Sequence, residues 1–222
     1  MHYFDGYWVY LVEDAGVWFP NPRFSPSKGM IAIGGGLSVE WLISAYRQGL
    51  FPWSGRPVTW WSPDPRGVLE DVHISKSLAK FLKKNPFEIT VDTAFEKVMR
   101  ECGERRTNGT WITEELITAY TQLHNDGYAH SLECRLNGEL VGGVYGVSIG
   151  GYFSAESMFH KVSNASKVAL VKLMQRLKER AYHLVDIQML TPVTQKMGGT
   201  LIPRQEFLDR LEKAILVNCS FV

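Results

Sequence analysis

Residues 139–190 read ELVGGVYGVSIGGYFSAESMFHKVSNASKVALVKLMQRLKERAYHLVDIQML, and the reading of this stretch decides the fold. An apolar run leads to a Gly150-Gly151 turn and a second strand, residues 165–180 carry helical spacing, and residues 185–190 return as a strand. A hairpin, a crossover helix and a returning strand predict a mixed sheet with a helix laid on it. Three polar side chains interrupt the apolar strands: Glu156, Asp186 and Gln188. A carboxylate within a buried strand is paired, exposed or kept for a function, so these three are candidates for chemistry. Asp186 and Gln188, two apart on one strand, are expected on the same face. The plainer alternative is a pair of strand-end residues reaching solvent.

Upstream of this stretch, helices come first and strands follow. Ser75 caps a helix to Lys84, residues 87–91 form a strand, Asp92 or Thr93 caps a helix to Cys102, and Thr113 caps one that ends at Gly127. Tyr128 to Leu136 alternates as a strand, and Asn137-Gly138 is a two-residue hairpin turn. Gly34-Gly35-Gly36 leads through Ser38 into a helix stopped by Gly49; with neither GxGxxG nor GxxxxGK[ST] present, the glycines predict a tight turn rather than a phosphate loop. The opening tract through Trp18-Phe19-Pro20 is expected to be an extended arm, and prolines 52, 57, 63 and 65 a stiff, loop-like connector. Adjacent Trp60 and Trp61 are expected on opposite faces of a strand. A boundary near this connector divides the chain into a small N-terminal domain, residues 1–62, and a larger one, residues 63–222. The fold class is α+β, or mixed α/β, without internal repeats.

Composition narrows the function classes. With 222 residues, 45% hydrophobic and 21% charged, the chain is ordinary globular material. No apolar run approaches the roughly 18 residues of a spanning helix, and the acidic N-terminus lacks the basic start of a secretory signal, so a cytoplasmic location is expected. Three widely spaced cysteines fit reduced thiols, and with neither CxxC nor HxxxH no metal is expected. A net charge of +1 excludes a globally basic nucleic-acid binder. Basic residues still cluster at Lys76, Lys80, Lys83 and Lys84, around Arg100, Arg105 and Arg106, and at Lys172, Arg176, Lys178 and Arg180. Each cluster alone is a solvated face; together they could hold a phosphate backbone.

Covalent acyl transfer is not expected, since no cysteine is followed by a histidine at a persuasive distance. GNAT acetyltransferases bind the CoA pyrophosphate with a [QR]xxGx[GA] loop at a strand-helix junction. The corresponding junction, residues 159–167, contains no glycine, and the half match at residues 195–200 stands elsewhere in the chain, so no cofactor is expected. Trp53 and Trp111 sit in loop contexts where a core has less need of an indole. Stacking a base on such a ring is worth on the order of 1–3 kcal/mol; the alternative is a packed hydrophobe.

WFP at residues 18–20, GMIAIGGGLS, AYRQGLFPW, WWSPDPRGVL, TWIT, AHSLE, LVGGVYGV, ESMF, NASK and VDIQ occur in this order across nearly the whole chain. In these motifs the sequence resembles the leucyl/phenylalanyl-tRNA-protein transferases. The resemblance implies a GNAT-like core used without acetyl-CoA, and transfer of leucine or phenylalanine, less readily methionine, from aminoacyl-tRNA to an N-terminal arginine or lysine. The recipient proteins are thereby marked for N-end-rule degradation. It implies, as the stacking argument does, that Trp53 and Trp111 hold the terminal adenine. A leucine or phenylalanine side chain needs an apolar pocket, and Val144, Phe153, Met158, Leu170 and Leu173, whose strand and helix spacing is compatible, are nominated to line it; each of the five is otherwise ordinary core. Because the attacking α-amine must lose a proton, Asp186 is the candidate general base, with Gln188 as orienter or relay, Glu156 as the holder of the terminal ribose, the adenine or the cationic acceptor, and Glu133 a second acidic contributor. Gly36 and Val193 depart from the family's usual Asp and nearby His, and no role is assigned to either. Two other classes stay open: a non-catalytic binder of tRNA or protein termini, and a CoA-using N-acetyltransferase disfavoured by the glycine-free junction.

Overall fold

Seven aromatic and aliphatic residues fall in the first eleven, and the N-terminus folds as sheet, not as the extended arm expected. The computed structural model describes residues 1–4, 6–13, 16–54, 56–104 and 110–222. Strand β2 (Tyr7–Val12) pairs antiparallel with β1 (His2–Phe4) and parallel with β3 (Met30–Gly34). Two more strands, β4 (Phe51–Ser54) and β5 (Thr59–Trp61), complete a five-stranded sheet of order β1-β2-β3-β5-β4. Part of the expected connector is therefore strand, and Pro52 is tolerated because β4 is an edge. Trp60 is fully buried, whereas Trp61 turns the other way against Tyr7 and Trp53. Helix α1 (Val39–Arg47) begins where the Ser38 hydroxyl accepts the Trp41 N–H at 3.4 Å. In the glycine run before it, a Cβ on Gly34 would stand 2.2 Å from the Val12 carbonyl oxygen, so close backbone contact requires the glycine.

The second sheet has seven strands: β6 (Arg66–Val68), β7 (Glu88–Val91), β8 (Ala129–Leu136), β9 (Glu139–Ile149), β10 (Tyr152–His160), β11 (Leu184–Gln188) and β12 (Thr200–Ile202). Their order is β12-β6-β11-β10-β9-β8-β7; β10 and β11 run parallel and are joined by α5 (Ala165–Glu179). Three helices, α2 (Lys76–Leu82), α3 (Phe95–Glu104) and α4 (Glu114–Asn125), precede the hairpins. Gly142 and Gly143 show how closely helices approach β9. An added Cβ on Gly142 would meet Ala165 of α5 at 2.5 Å, and one on Gly143 would meet Val98 of α3 at 3.2 Å. Adjacent strand residues face opposite ways, so the two helices lie on opposite faces.

The mixed α/β class is as expected, but the last thirty residues add structure that the sequence reading passed over: α6 (Pro192–Lys196), β12 and α7 (Arg204–Ala214). Phe207, Leu208 and Leu211 of α7 are buried in the cluster that also holds Trp60, Leu50 and Tyr145, so one core runs under both sheets. Arg204 adds polar stitching, donating to the carbonyls of Ser25, Ser27 and Ser62 at 2.8–2.9 Å. Among the described residues no helix is long and apolar enough to cross a membrane.

Gly49 closes α1 at φ +76°, and a Cβ there would stand 2.5 Å from Leu208 Cδ2. Gly49→Ala is expected to lower the free energy of unfolding by about 1–2 kcal/mol, read from the urea midpoint. Gly16→Ala, whose Cβ meets nothing within 4 Å, is the control and leaves the midpoint unchanged.

Candidate active site

β10 and β11 are paired from Tyr152↔Leu184 to Ser154↔Asp186, and the register recorded between them ends there. Glu156 and Gln188 stand just beyond that point. Along β10 the pairing with β9 shifts from Ala155↔Gly146 to Ser157↔Tyr145, which leaves Glu156 with no residue opposite. Such a bulge interrupts the ladder and re-aims a side chain. On β11 the pairing with β6 shifts between Asp186 and Gln188, and Gln188 takes φ +54°. A non-glycine residue rarely adopts that conformation. Here the Gln188 N–H donates to Asp186 Oδ1 at 2.8 Å, and Gly67 leaves the space: its Cβ would lie 3.1 Å from the Met189 backbone.

Behind this fork, where the β10–β11 pairing ends at Ser154↔Asp186 and Glu156 and Gln188 follow, lies a buried ion pair. Arg66 donates to Asp186 through Nε at 2.9 Å and Nη2 at 2.6 Å, and both side chains are fully enclosed. Arg66 Nη1 donates to the Gly49 carbonyl at 3.1 Å, and the guanidinium lies between the rings of Phe51 and Phe207, 4.9 and 4.4 Å from their centroids. Burial works against the guanidinium charge, but the field and hydrogen bonds of Asp186 outweigh it and raise the Arg66 pKa. Tyr152 donates to Asp186 Oδ2 at 2.8 Å. The two Asp186 oxygens thus accept four hydrogen bonds inside the protein. This differs from the position expected of a general base, which needs a lone pair within reach of substrate.

Glu156 has that reach. Its Oε1 accepts from Ser154 Oγ at 2.8 Å and Gln188 Nε2 at 3.0 Å, and Tyr46 also hydrogen-bonds it. The Tyr46 hydroxyl is in turn hydrogen-bonded to that of Tyr120. Burial pushes the Glu156 carboxyl up to about 7; the bonds from Tyr46 and Ser154 oppose the rise, and the charge of Asp186 adds to it. Burial, then the charge of Glu156, pushes both tyrosines upward, so they stay protonated near neutrality.

Glu156 and Gln188 open onto a cleft of about 180 Å³, whose other walls include Pro52, Trp53, Trp111 and Thr191. Trp53 sits on edge strand β4 rather than in a loop, and its ring lies 6.5 Å from that of Trp111 at 43°. Ligand clefts commonly measure about 300–1,000 Å³, so this one suits the end of a ligand rather than a whole one. A larger groove of about 520 Å³ lies between α5 and residues 68–72, but ion pairs Lys178–Asp71 and Arg210–Glu70 line it. The buried polar network converges on the smaller cleft.

The five apolar residues nominated for a side-chain pocket do converge, in one cluster between α5 and the sheet. Val144, Phe153, Leu170 and Leu173 are only 1–3% exposed, Met158 is partly buried, and none of the five lines the cleft. They form filled core in this structure, not an open hollow, because α5 packs its apolar face directly on them. Glu133 is also elsewhere, fully buried in a cradle of hydroxyls from Thr90, Thr93 and Ser131. Of the basic clusters, Arg105 and Arg106 lie outside the described residues, and Arg100 is held by Glu96 and Glu114. Arg176 and Arg180 hold the carbonyls of Phe221 and Val222. The α2 lysines, 76, 80, 83 and 84, are exposed. Asp92, His124 and His130 gather their ligand-capable atoms within 4.8 Å, a grouping invisible to sequence spacing. Their contacts are already internal: His130 Nδ1 bonds Asp92 at 2.7 Å, and His124 Nδ1 the Ala129 carbonyl at 2.8 Å. Sequence reasoning missed Arg66, Tyr46, Tyr120 and Tyr152. Arg66, a lone cation beside Gly67-Val68-Leu69, carried a usable signal; the tyrosines, at apolar helix and strand positions, carried none.

Family comparison bears on what this cleft belongs to. The profile described as leucyl/phenylalanyl-tRNA protein transferase matches residues 68–212, and that of the same family's N-terminal domain matches residues 35–64. The chain belongs to this family. Named leucyl/phenylalanyl-tRNA–protein transferases from Legionella pneumophila (strain Paris) and Nitrosomonas europaea are 47% and 52% identical to it. The alignments cover 92% of this chain and 95% of the first relative, and 84% and 81% for the second. Family membership makes the chain an aminoacyltransferase. Similar solved structures include a ribosomal-protein-alanine N-acetyltransferase from Brucella melitensis, 16% identical with TM-score 0.37 over 48% of this chain and 81% of that one. Another is L-PGS from Bacillus licheniformis, 15% identical with TM-score 0.40 over 73% and 54%.

The raised pKa of Glu156 has a stability consequence. The folded state binds this proton more tightly than an ordinary carboxyl of 4.5 does, so the associated stability is full below pH 4.5 and lost as pH rises through about 7. Glu156→Gln removes the titration. The variant is expected to gain stability relative to the parent between pH 5 and pH 8, measured as the difference in urea midpoints.

Proposed function

We propose that the cleft transfers leucine or phenylalanine, less readily methionine, from aminoacyl-tRNA to the N-terminal arginine or lysine of a protein, marking it for N-end-rule degradation in the cytoplasm. The observation that carries this reading is a carboxyl, Glu156, held by Ser154, Gln188 and Tyr46 at the mouth of a tryptophan-walled cleft, in a chain of this family. Residues 1–62 supply Trp53 and Tyr46, and residues 63–222 supply the fork, so the two units act as one site.

The terminal adenine rests against Trp53 and Trp111, where stacking contributes on the order of 1–3 kcal/mol. Their tilted arrangement forms a corner that takes one face and one edge of the base. The donor's apolar side chain enters beside Met158, the partly buried member of the five-residue cluster, and displaces the packing of Val144, Phe153, Leu170 and Leu173. The exposed α2 lysines attract the tRNA backbone.

The reaction is ester aminolysis. The acceptor α-amine attacks the ester carbonyl, a carbon–nitrogen bond forms, and the bond to the terminal ribose oxygen breaks. Glu156 accepts the proton of the attacking amine and returns one to the leaving ribose hydroxyl, and its pKa near 7 suits it to both steps. Its negative charge also favours a cationic N-terminal residue. Gln188 orients Glu156 through its amide, and Asp186 acts through Gln188 by holding that residue's backbone while Arg66 fixes Asp186. Proximity contributes the rest, up to roughly 7–11 kcal/mol in ideal cases.

Radiolabelled Leu-tRNA with an Arg-initiated peptide, compared with labelled acetyl-CoA, tests the reading. Label is expected on the peptide from the tRNA alone; transfer from acetyl-CoA, or from neither, overturns it. Glu156→Gln is expected to lower the single-turnover rate by about 10²–10⁴ and to abolish the rate limb near pH 7, leaving the acceptor amine's own titration near 8. Trp53→Ala and Trp111→Ala are each expected to weaken binding of an aminoacyl-adenosine analogue by about 1 kcal/mol or more, read by calorimetry.

A further inference from the structure

Beside the cleft lies a second hollow, of about 400 Å³, that the reaction above leaves unused. Ser75 and Leu78 bring α2 to it, Pro192, Val193 and Lys196 bring α6, and Lys167 of α5 also lines it. The chain joins the two spaces directly: Thr191 lines the cleft and the next residue, Pro192, lines the hollow. Consecutive Cα atoms are only about 3.8 Å apart. The helix that borders the hollow, α2, also carries exposed Lys76 and Lys80.

Backbone contacts fix its shape. The His73 N–H donates to the Met197 carbonyl at 2.8 Å. Gly198, at φ +100°, lets the end of α6 press against the preceding segment; a Cβ there would stand 2.5 Å from the Asp71 carbonyl oxygen. The lining is amphipathic and carries no carboxylate. Leu78, Pro192 and Met197 are apolar, and Val193 keeps 40% of its surface exposed. Lys167 and Lys196 are exposed and enter no ion pair among the described residues. An apolar surface for a flat base, with two ammonium groups for one phosphate, matches a nucleotide better than an apolar or cationic peptide side chain.

We propose that this hollow holds the nucleotide preceding the terminal adenosine, with its base on Pro192 and Val193 and the internucleotide phosphate within reach of Lys167 and Lys196. The assignment rests on the aminoacyl-tRNA donor reading and extends it by one residue of the donor. It predicts that the enzyme distinguishes a one-nucleotide from a two-nucleotide donor and that the two lysines supply the difference.

The test compares leucyl-adenosine with the 3′-leucyl ester of the dinucleotide CpA, each as donor to the same Arg-initiated peptide. The parent protein is expected to show a higher kcat/KM with the dinucleotide ester. That advantage should fall about 2.5-fold between 50 and 200 mM salt, the single-strand dependence for one phosphate contact. Lys167→Gln with Lys196→Gln should erase the advantage and its salt dependence while leaving the rate with leucyl-adenosine unchanged, and Lys167→Arg with Lys196→Arg should restore both. The proposal is overturned if the Gln variant keeps the full advantage, if its rates with both donors fall in parallel, or if only its KM for the peptide changes, which would make the hollow an acceptor site. A parent that uses leucyl-adenosine without preferring the dinucleotide also overturns it, while the donor reading survives. A parent that transfers from neither ester nor from intact Leu-tRNA overturns both.

Discussion

The buried ion pair between Arg66 and Asp186 is the constraint on which the rest of the site depends. Placing two charges where both are fully enclosed costs several kcal/mol per ion in desolvation, and the pair holds only because every donor and acceptor finds a partner. Those partners come from across the chain: Gly49 from the turn after α1, Phe51 from β4, Tyr152 from β10, Gln188 from β11 and Phe207 from α7. A pair satisfied from five directions fixes their relative positions. It also holds Gln188 in a left-handed conformation that its own backbone disfavours.

That strain sets the division of labour among the three polar residues. Asp186 spends its lone pairs on structure and faces no cleft, whereas Glu156, displaced by one bulge, gains a wet side and a dry side. Partial burial is what carries its carboxyl to about 7. A fully solvated carboxyl would titrate too low for a useful base, and a wholly enclosed one could not meet an amine. Tyr46 and Tyr120 extend the network into α1 and α4, so elements far apart in sequence tune a single proton.

Much of the fold was legible from pattern alone. Ser38, Ser75 and Thr113 capped the helices they were expected to cap, and Asn137-Gly138 turned the β8–β9 hairpin with both residues at positive φ. Proline misled twice, since its content around residues 52–65 concealed β4, an edge strand that tolerates Pro52, and β6, which begins just after Pro65 inside the second sheet. Gly142 and Gly143 of β9 carry no sequence sign that they answer to Ala165 and Val98 of packed helices. Helix α7, amphipathic and ordinary in sequence, gave no sign that Phe207 would cover a buried arginine.

The sequence by itself determined the family and the mixed α/β class, and it singled out Glu156, Asp186 and Gln188, because isolated polar residues in apolar strands are conspicuous wherever they fold. What it could not assign was which of the three meets solvent. That depends on two register shifts of one residue each, at Ala155/Ser157 and at Asp186/Gln188. A period-two pattern has no term for an extra residue, and a bulge is stabilised by neighbours from other strands. Only the tertiary structure, by seating Arg66 beneath Asp186 and Tyr46 beside Glu156, decided which carboxylate is enclosed and which faces the cleft.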